Sequence, residues 1–208
     1  MELEIVTPGA TPLKPSEPRE ALRERFGIEP DQIAIGALGP FEPEAGMGAL
    51  IEAIANLGQA NPRVVCRIAG EGSMRDELEQ LAQTDARPNG TQLFGWQERP
   101  VDFLEALDLL VVPSRRAGFS LTAVQAMGLG LPVALRESSG LLGIVDRDVS
   151  GFYFKDDDEL LELLKELIGI PLTLESVGRA AKIRALDQFG IDRVADRTLD
   201  IYEGILGV

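Results

Sequence analysis

The sequence predicts an α/β fold, a Rossmann-like three-layer domain with a mostly parallel sheet and a helical C-terminal end. Three observations carry the expectation. Short apolar runs alternate with amphipathic segments as far as residue 156, the pattern of β-α units whose parallel sheet is covered on both faces. From Asp157 onward the strand-like runs stop and the segments are mostly helical. At 208 residues, with 45% hydrophobic and 26% charged residues, the chain can bury a substantial core as one globular domain.

Each element has its own signal. Strands are expected at Ile33 to Leu38, Val64 to Ala69, Thr91 to Phe94, Leu109 to Val112, Pro132 to Leu135 and Gly151 to Phe154. Between the first two, Met47 to Leu57 places Leu50, Ile51, Ile54 and Leu57 on one face of a helix. A second helix is expected over Ser73 to Gln83, with Ser73 and Asp76 at the spacing of a capping box. Pro100 suits the first turn of a segment running to Ala106. The fourth strand ends at Pro113, a glycine-bearing turn follows, and a helix opens near Ser120; Gly128 and Gly130, beside Pro132, end it and return the chain to the sheet. In the tail, Gly169-Ile170-Pro171 and Gly190 separate three helices. The run Asp156-Asp157-Asp158-Glu159 reads as a helix N-terminus favoured by the macrodipole, in preference to a metal site.

Composition then removes several functions. A formal charge of -14 and a pI near 4.5 repel DNA and RNA, so nucleic acid is not an expected partner. A small anion stays possible, because a local pocket of N–H dipoles and one or two arginines can oppose the global field. With no histidine, Ser-His-Asp chemistry and His-bearing zinc sites have no material. Cys66 is the single cysteine, set in the apolar run Val64 to Ala69, so it reads as a buried structural thiol. No apolar stretch approaches the roughly 20 residues that span a bilayer, and the acidic N-terminus lacks the layout of a signal peptide. The expected location is the cytoplasm.

The stretch from Pro113 to Val133 is the most informative. A helix that opens near Ser120 directs its first N–H groups at the preceding turn, and such a mouth suits a phosphate. Gly118, Phe119, Ser120, Leu121 and Thr122 are the candidate donors, chiefly through backbone N–H groups.

Several segments in order resemble the C-terminal, donor-binding half of the two-domain (GT-B) retaining glycosyltransferases called group 1 or family 4. Val6-Thr7-Pro8-Gly9 is similar to the hinge by which such enzymes enter their second Rossmann-like domain. Leu38-Gly39 closes a first strand as the family's Gly-Arg-Leu does. Ile68 to Ser73 resembles the family's Gly-x-Gly turn, and Phe94-Gly95-Trp96 its segment near the nucleotide base. Pro113-Ser114 through Pro132-Val133 resembles its central signature. The match implies a single donor domain over residues 1–208, with a hinge-like segment at 1–12 and a mostly helical tail at 157–208. It implies a nucleotide-sugar donor, metal-independent transfer without a cofactor, and an acceptor-binding N-terminal domain or partner subunit that these residues do not include. A start at Met1, just ahead of the hinge-like segment, suits a chain cut at a domain boundary.

The resemblance also implies where the chemistry has been lost. The family's two glutamates, one on the transferred sugar and one on the ribose, correspond to Ala117 and Gln125; its diphosphate-binding arginine and lysine correspond to Pro40 and Ala45. Gln125 still accepts a hydrogen bond, whereas Ala117, Pro40 and Ala45 offer no side-chain polar group. Arg115 and Arg116 are the candidate replacements, since the guanidinium fork matches phosphate oxygens; the alternative is a pair of solvated loop arginines. Trp96 offers a face for base stacking, against the alternative of partly buried packing. Glu71 and Glu137 read as loop carboxylates. Two functions follow: the donor-binding domain of a glycosyltransferase, or a degenerate domain kept for partner binding.

Overall fold

The computed structural model describes residues 6–206 except Pro12, Pro88 and Ser139, so residues 1–5 and 12 of the hinge-like segment and the last two residues of the tail lie outside the description. Six parallel strands form one sheet in the order β3-β2-β1-β4-β5-β6: β1 (Ile33–Leu38), β2 (Val64–Ala69), β3 (Thr91–Phe94), β4 (Leu109–Val112), β5 (Val133–Arg136) and β6 (Phe152–Phe154). The expected α/β Rossmann-like fold is present. β5 starts one residue later than expected and takes in Arg136, and β6 starts at Phe152. Successive residues point to opposite faces, and both faces are apolar: Ala34 and Val65 enter one core cluster, while Ile35, Val64 and Cys66 enter the other.

Helices cover both faces. On one lie α1 (Arg19–Arg25), α4 (Pro100–Ala106), α5 (Leu121–Leu129) and α7 (Pro171–Phe189); on the other lie α2 (Met47–Gly58), α3 (Arg75–Ala82) and α6 (Asp157–Gly169). α8 (Ile191–Leu206) packs on α7. The tail breaks at Ile170 and Gly190, where the glycine and proline signals place them. Asp156 caps α6, its carboxylate accepting from the Glu159 N–H at 2.8 Å. The Ala10 N–H donates to the Phe189 carbonyl at 2.7 Å, so the hinge-like segment meets the α7–α8 junction.

One local expectation fails, because a distant residue outcompetes a local signal. α3 begins at Arg75 with Met74 in the cap position and no side-chain cap. Ser73 has no capping-box role: its hydroxyl and N–H both donate to the Glu42 carboxylate, at 2.7 and 3.1 Å. No element was expected between the hinge-like segment and β1, yet α1 forms there; Leu22 is fully buried, Phe26 nearly so, and Arg23 donates to Asp108 and to the Glu29 and Gln32 carbonyls.

Cys66 is fully buried, and desolvation pushes its thiol up to about 12, which leaves it without thiolate character at neutral pH. Beside it Arg67 is also fully buried and has no carboxylate partner among the described residues; its guanidinium donates to the carbonyls of Phe26, Gly27, Cys66 and Asn89. Burial pulls its pKa down to about 10. One side chain thereby ties the end of α1 to β2 and to the turn ahead of β3.

Candidate functional site

β1 leads by way of α2 to β2 on one side, while β4 lies on the other side of β1, so the strand order reverses between β1 and β4. In open α/β sheets the loops at such a point diverge and leave a crevice beyond the strand carboxyl ends. Two adjoining cavities occupy that place. A cleft of about 360 Å³ lies between Leu38–Ala45 and Pro113–Thr122. A cavity of about 630 Å³ extends over the ends of β2 and β3 to Trp96, Gln97 and Glu98. They share Leu38, Gly39, Pro40 and Thr122, so they form one groove. Each is within the size range of small-molecule sites.

α5 opens into the cleft. Ser120 is its N-cap and its hydroxyl accepts from the Ala123 N–H at 3.2 Å, which commits that side chain to the helix. Helix geometry leaves the Leu121 and Thr122 N–H groups without an intrahelical acceptor, and both residues line the cleft. A Cβ built on Gly118 would meet nothing within 4 Å, and Gly118 lacks a positive φ, so its place at the mouth is open space and not a strained turn. The Phe119 ring packs on Phe189 with centroids 5.5 Å apart, which anchors the turn to α7.

The loops that shape the groove are stitched together by backbone. Gly70 has φ +152, and a Cβ there would lie 1.9 Å from the Gly39 carbonyl oxygen; one on Gly72, at φ +158, would lie 2.5 Å from that of Phe41. Glycine is required because the two loops pass within hydrogen-bonding distance: the Phe41 N–H donates to the Glu71 carbonyl at 2.8 Å, and the Met74 N–H to the Phe41 carbonyl at 2.9 Å. The Glu44 carbonyl accepts from the Arg115 N–H at 2.9 Å and from the Ser114 hydroxyl at 3.2 Å. Glu42, tied to Ser73, has its carboxyl held below its ordinary value by those bonds.

The two arginines separate. Arg116 lines the cleft and is the only cationic side chain among the described residues that do so. Arg115 turns away, pairing with Asp157 at 3.3 Å on the far side of the loop. Asp157 also pairs with Arg136, whose guanidinium stacks over Phe154 and donates to the Pro113 carbonyl at 2.9 Å. Arg136 escaped sequence reading because it looks like the charged end of a strand. It braces the Pro113 turn against β6 and α6.

Ala117 lines the cleft and packs against the core, and Gln125 lines the larger cavity. Pro40 lines both cavities, and Ala45 the cleft. The Phe94 ring faces inward, edge-on to Phe26 with centroids 5.2 Å apart. Gly95 faces the Glu71 carboxylate. Trp96, expected to be partly buried if it packed, is 77% exposed at the rim of the larger cavity. Glu42, Glu44, Glu71 and Glu98 also line the groove, an acidic wall that the sequence reading did not assemble. Glu137 is outside it, paired with Arg147.

An open parallel sheet with a helix mouth at its switch point defines the class: a Rossmann-like α/β domain with a ligand crevice beyond its strands. The chain belongs to the family described as glycosyl transferases group 1, whose pattern matches residues 18–184. It is 32% identical over 215 residues to a D-inositol 3-phosphate glycosyltransferase of Xylanimonas cellulosilytica, covering 96% of this chain and 51% of that protein. It is 30% identical over 195 residues to a trehalose synthase of Pyrococcus horikoshii, covering 88% and 47%. The chain thus spans about half the length of these curated relatives. Among solved structures it is similar to Anabaena HepE in complex with UDP, with TM-score 0.82, 22% identity and coverage of 91% of this chain and 54% of that one. It is also similar to the C-terminal domain of a group 1 family glycosyl transferase (LpcC) of Francisella tularensis, with TM-score 0.74, 23% identity and coverage of 85% and 95%. Among the described residues no helix is long and apolar enough to cross a membrane.

Proposed function

We propose that residues 1–208 form the nucleotide-sugar half of a cytoplasmic glycosyltransferase, a single donor domain whose catalytic cleft is completed by an acceptor-binding half. The observation that carries this is the groove at the β1/β4 switch point with the amino end of α5 opening into it. In this reading the diphosphate lies at the α5 mouth against the Leu121 and Thr122 N–H groups and Arg116. The ribose faces Gln125, and the base lies over the ends of β2 and β3 beside Trp96. The helix end and the arginine stabilise the charge that develops on the leaving diphosphate. The UDP and UDP-glucose complexes of HepE support the ligand class.

The diphosphate is held weakly. A hydrogen bond to a charged group contributes roughly 1.5–3 kcal/mol, so three lost contacts remove on the order of 4–9 kcal/mol. A micromolar complex holds only about 8 kcal/mol. Glu42 and Glu44 along the cleft work in the same direction. These features favour a second reading, a degenerate domain kept for partner binding.

Titrating the full chain with UDP, GDP, ADP and their sugars, with thermal unfolding as readout, separates the two. Ligand at about 100 times its dissociation constant should stabilise the fold by about 2.7 kcal/mol. No shift with any nucleotide up to millimolar concentration favours the partner-binding reading.

A further inference from the structure

The larger cavity of the groove has a chemical bias. Its lining includes Glu71, Trp96, Gln97, Glu98, Thr122 and Gln125, and no lysine or arginine. The polar side chains at the ends of β2 and β3 mainly accept hydrogen bonds. Glu71 and Glu98 are carboxylates, and Gln97 gives an amide N–H to the Gly95 carbonyl at 2.9 Å, leaving its oxygen as the unengaged end.

Glu71 is paired through one oxygen. Its Oε1 accepts from Arg75 at 2.9 Å, and Arg75 is held in turn by Glu79, also at 2.9 Å. A Cβ at residue 95 would lie 2.8 Å from that oxygen, so Gly95 makes the room the carboxylate occupies. Among the described residues, Oε2 has no partner. A carboxylate has the acceptor capacity for two parallel donors beside such a pair.

Resting on the donor-site reading, we infer that Glu71 selects the base and that the groove takes a guanine nucleotide. Guanine alone among the common bases presents two adjacent donors, N1–H and the N2 amino group, on one edge. Uracil presents a single N–H between two carbonyl oxygens, both of which the carboxylate repels. Adenine and cytosine each set an acceptor nitrogen beside their amino group. The exposed Trp96 ring at the rim offers a stacking face to the larger purine.

The test is binding of GDP, IDP, UDP and ADP to the full chain by calorimetry. IDP keeps N1–H and lacks the 2-amino group. GDP should bind at least tenfold more tightly than UDP or ADP, with IDP several-fold weaker than GDP. Glu71→Gln, at a half-exposed side chain, should bring the GDP to UDP ratio close to one, with GDP bound more weakly and UDP no less tightly. UDP binding as tightly as GDP overturns the inference. So does Glu71→Gln with the GDP preference intact. Binding without base preference counts against Glu71 alone, whereas no binding by any of the four nucleotides overturns the donor-site reading and this inference with it.

Discussion

Arg115 and Arg116 are neighbours in sequence with different environments, and under the proposed function the difference decides which can act on a phosphate. Arg115 is engaged by Asp157 across the loop, whereas Arg116 faces the cleft. Arg116→Ala is expected to weaken nucleotide binding about tenfold, the effect of one lost charge-assisted contact of roughly 1.4 kcal/mol. Arg115→Ala should change it by less than about twofold. Isothermal titration with the preferred nucleotide measures both, and equal losses from the two variants would contradict the assignment. That Ala117 and Gln125 lie along one groove was legible in the sequence, because their spacing is fixed by one turn and one helix. What each neighbouring side chain faces was not, since that depends on a partner over forty positions away.

At the scale of elements, the groove floor depends on two loops held in contact by glycines. In Gly70→Ala the added methyl group meets the Gly39 carbonyl, so one loop must move. A loss of about 2 kcal/mol in chemical denaturation is expected, within the range for strained backbone, together with weaker nucleotide binding. The Gly-x-Gly turn was visible in sequence; that its function is close approach to the β1 loop was not, because the contact joins separate β-α units.

α4 is tied to the segment ahead of α1 through Asp102. Burial raises that carboxyl, but bonds from the Ser16 N–H and hydroxyl, with Arg99 and Arg25 nearby, outweigh it and leave the pKa below its ordinary value. A depressed folded-state value means that the stabilisation is present above about pH 4 and is lost as pH falls through the folded value. Asp85, paired with Arg87 against its own desolvation, has the same sign. Urea unfolding should therefore show falling stability below about pH 4. Asp102→Asn should cost about 2–3 kcal/mol at pH 7 and flatten that acid limb, because a buried acceptor pair is replaced by a half-matched amide. A variant with an unchanged acid limb would remove Asp102 from the account.

For the whole molecule, the chain spans about half the length of its curated relatives. Under the proposed function a two-domain cleft is needed to exclude water and to present an acceptor. The full chain alone is accordingly expected to bind nucleotide weakly and to release no nucleoside diphosphate from a nucleotide sugar above the uncatalysed rate. Chromatography of the incubated donor checks this, and measurable turnover by these residues would contradict the half-site reading.

Sequence by itself determined the strands and most of the helices in chain order, the Rossmann-like class and the burial of Cys66. These follow from local composition and from periodicity, which each segment carries within itself. Only the tertiary structure decided that Arg116 faces the cleft while Arg115 does not, that Ser73 serves Glu42 instead of a helix, and that four glutamates share one groove. It alone placed Arg67 and Arg136 as internal braces. The physical reason is that a hydrogen bond or a charge pair acts over a few ångströms of space whatever the separation along the chain. Which groups come that close is set by how the layers pack.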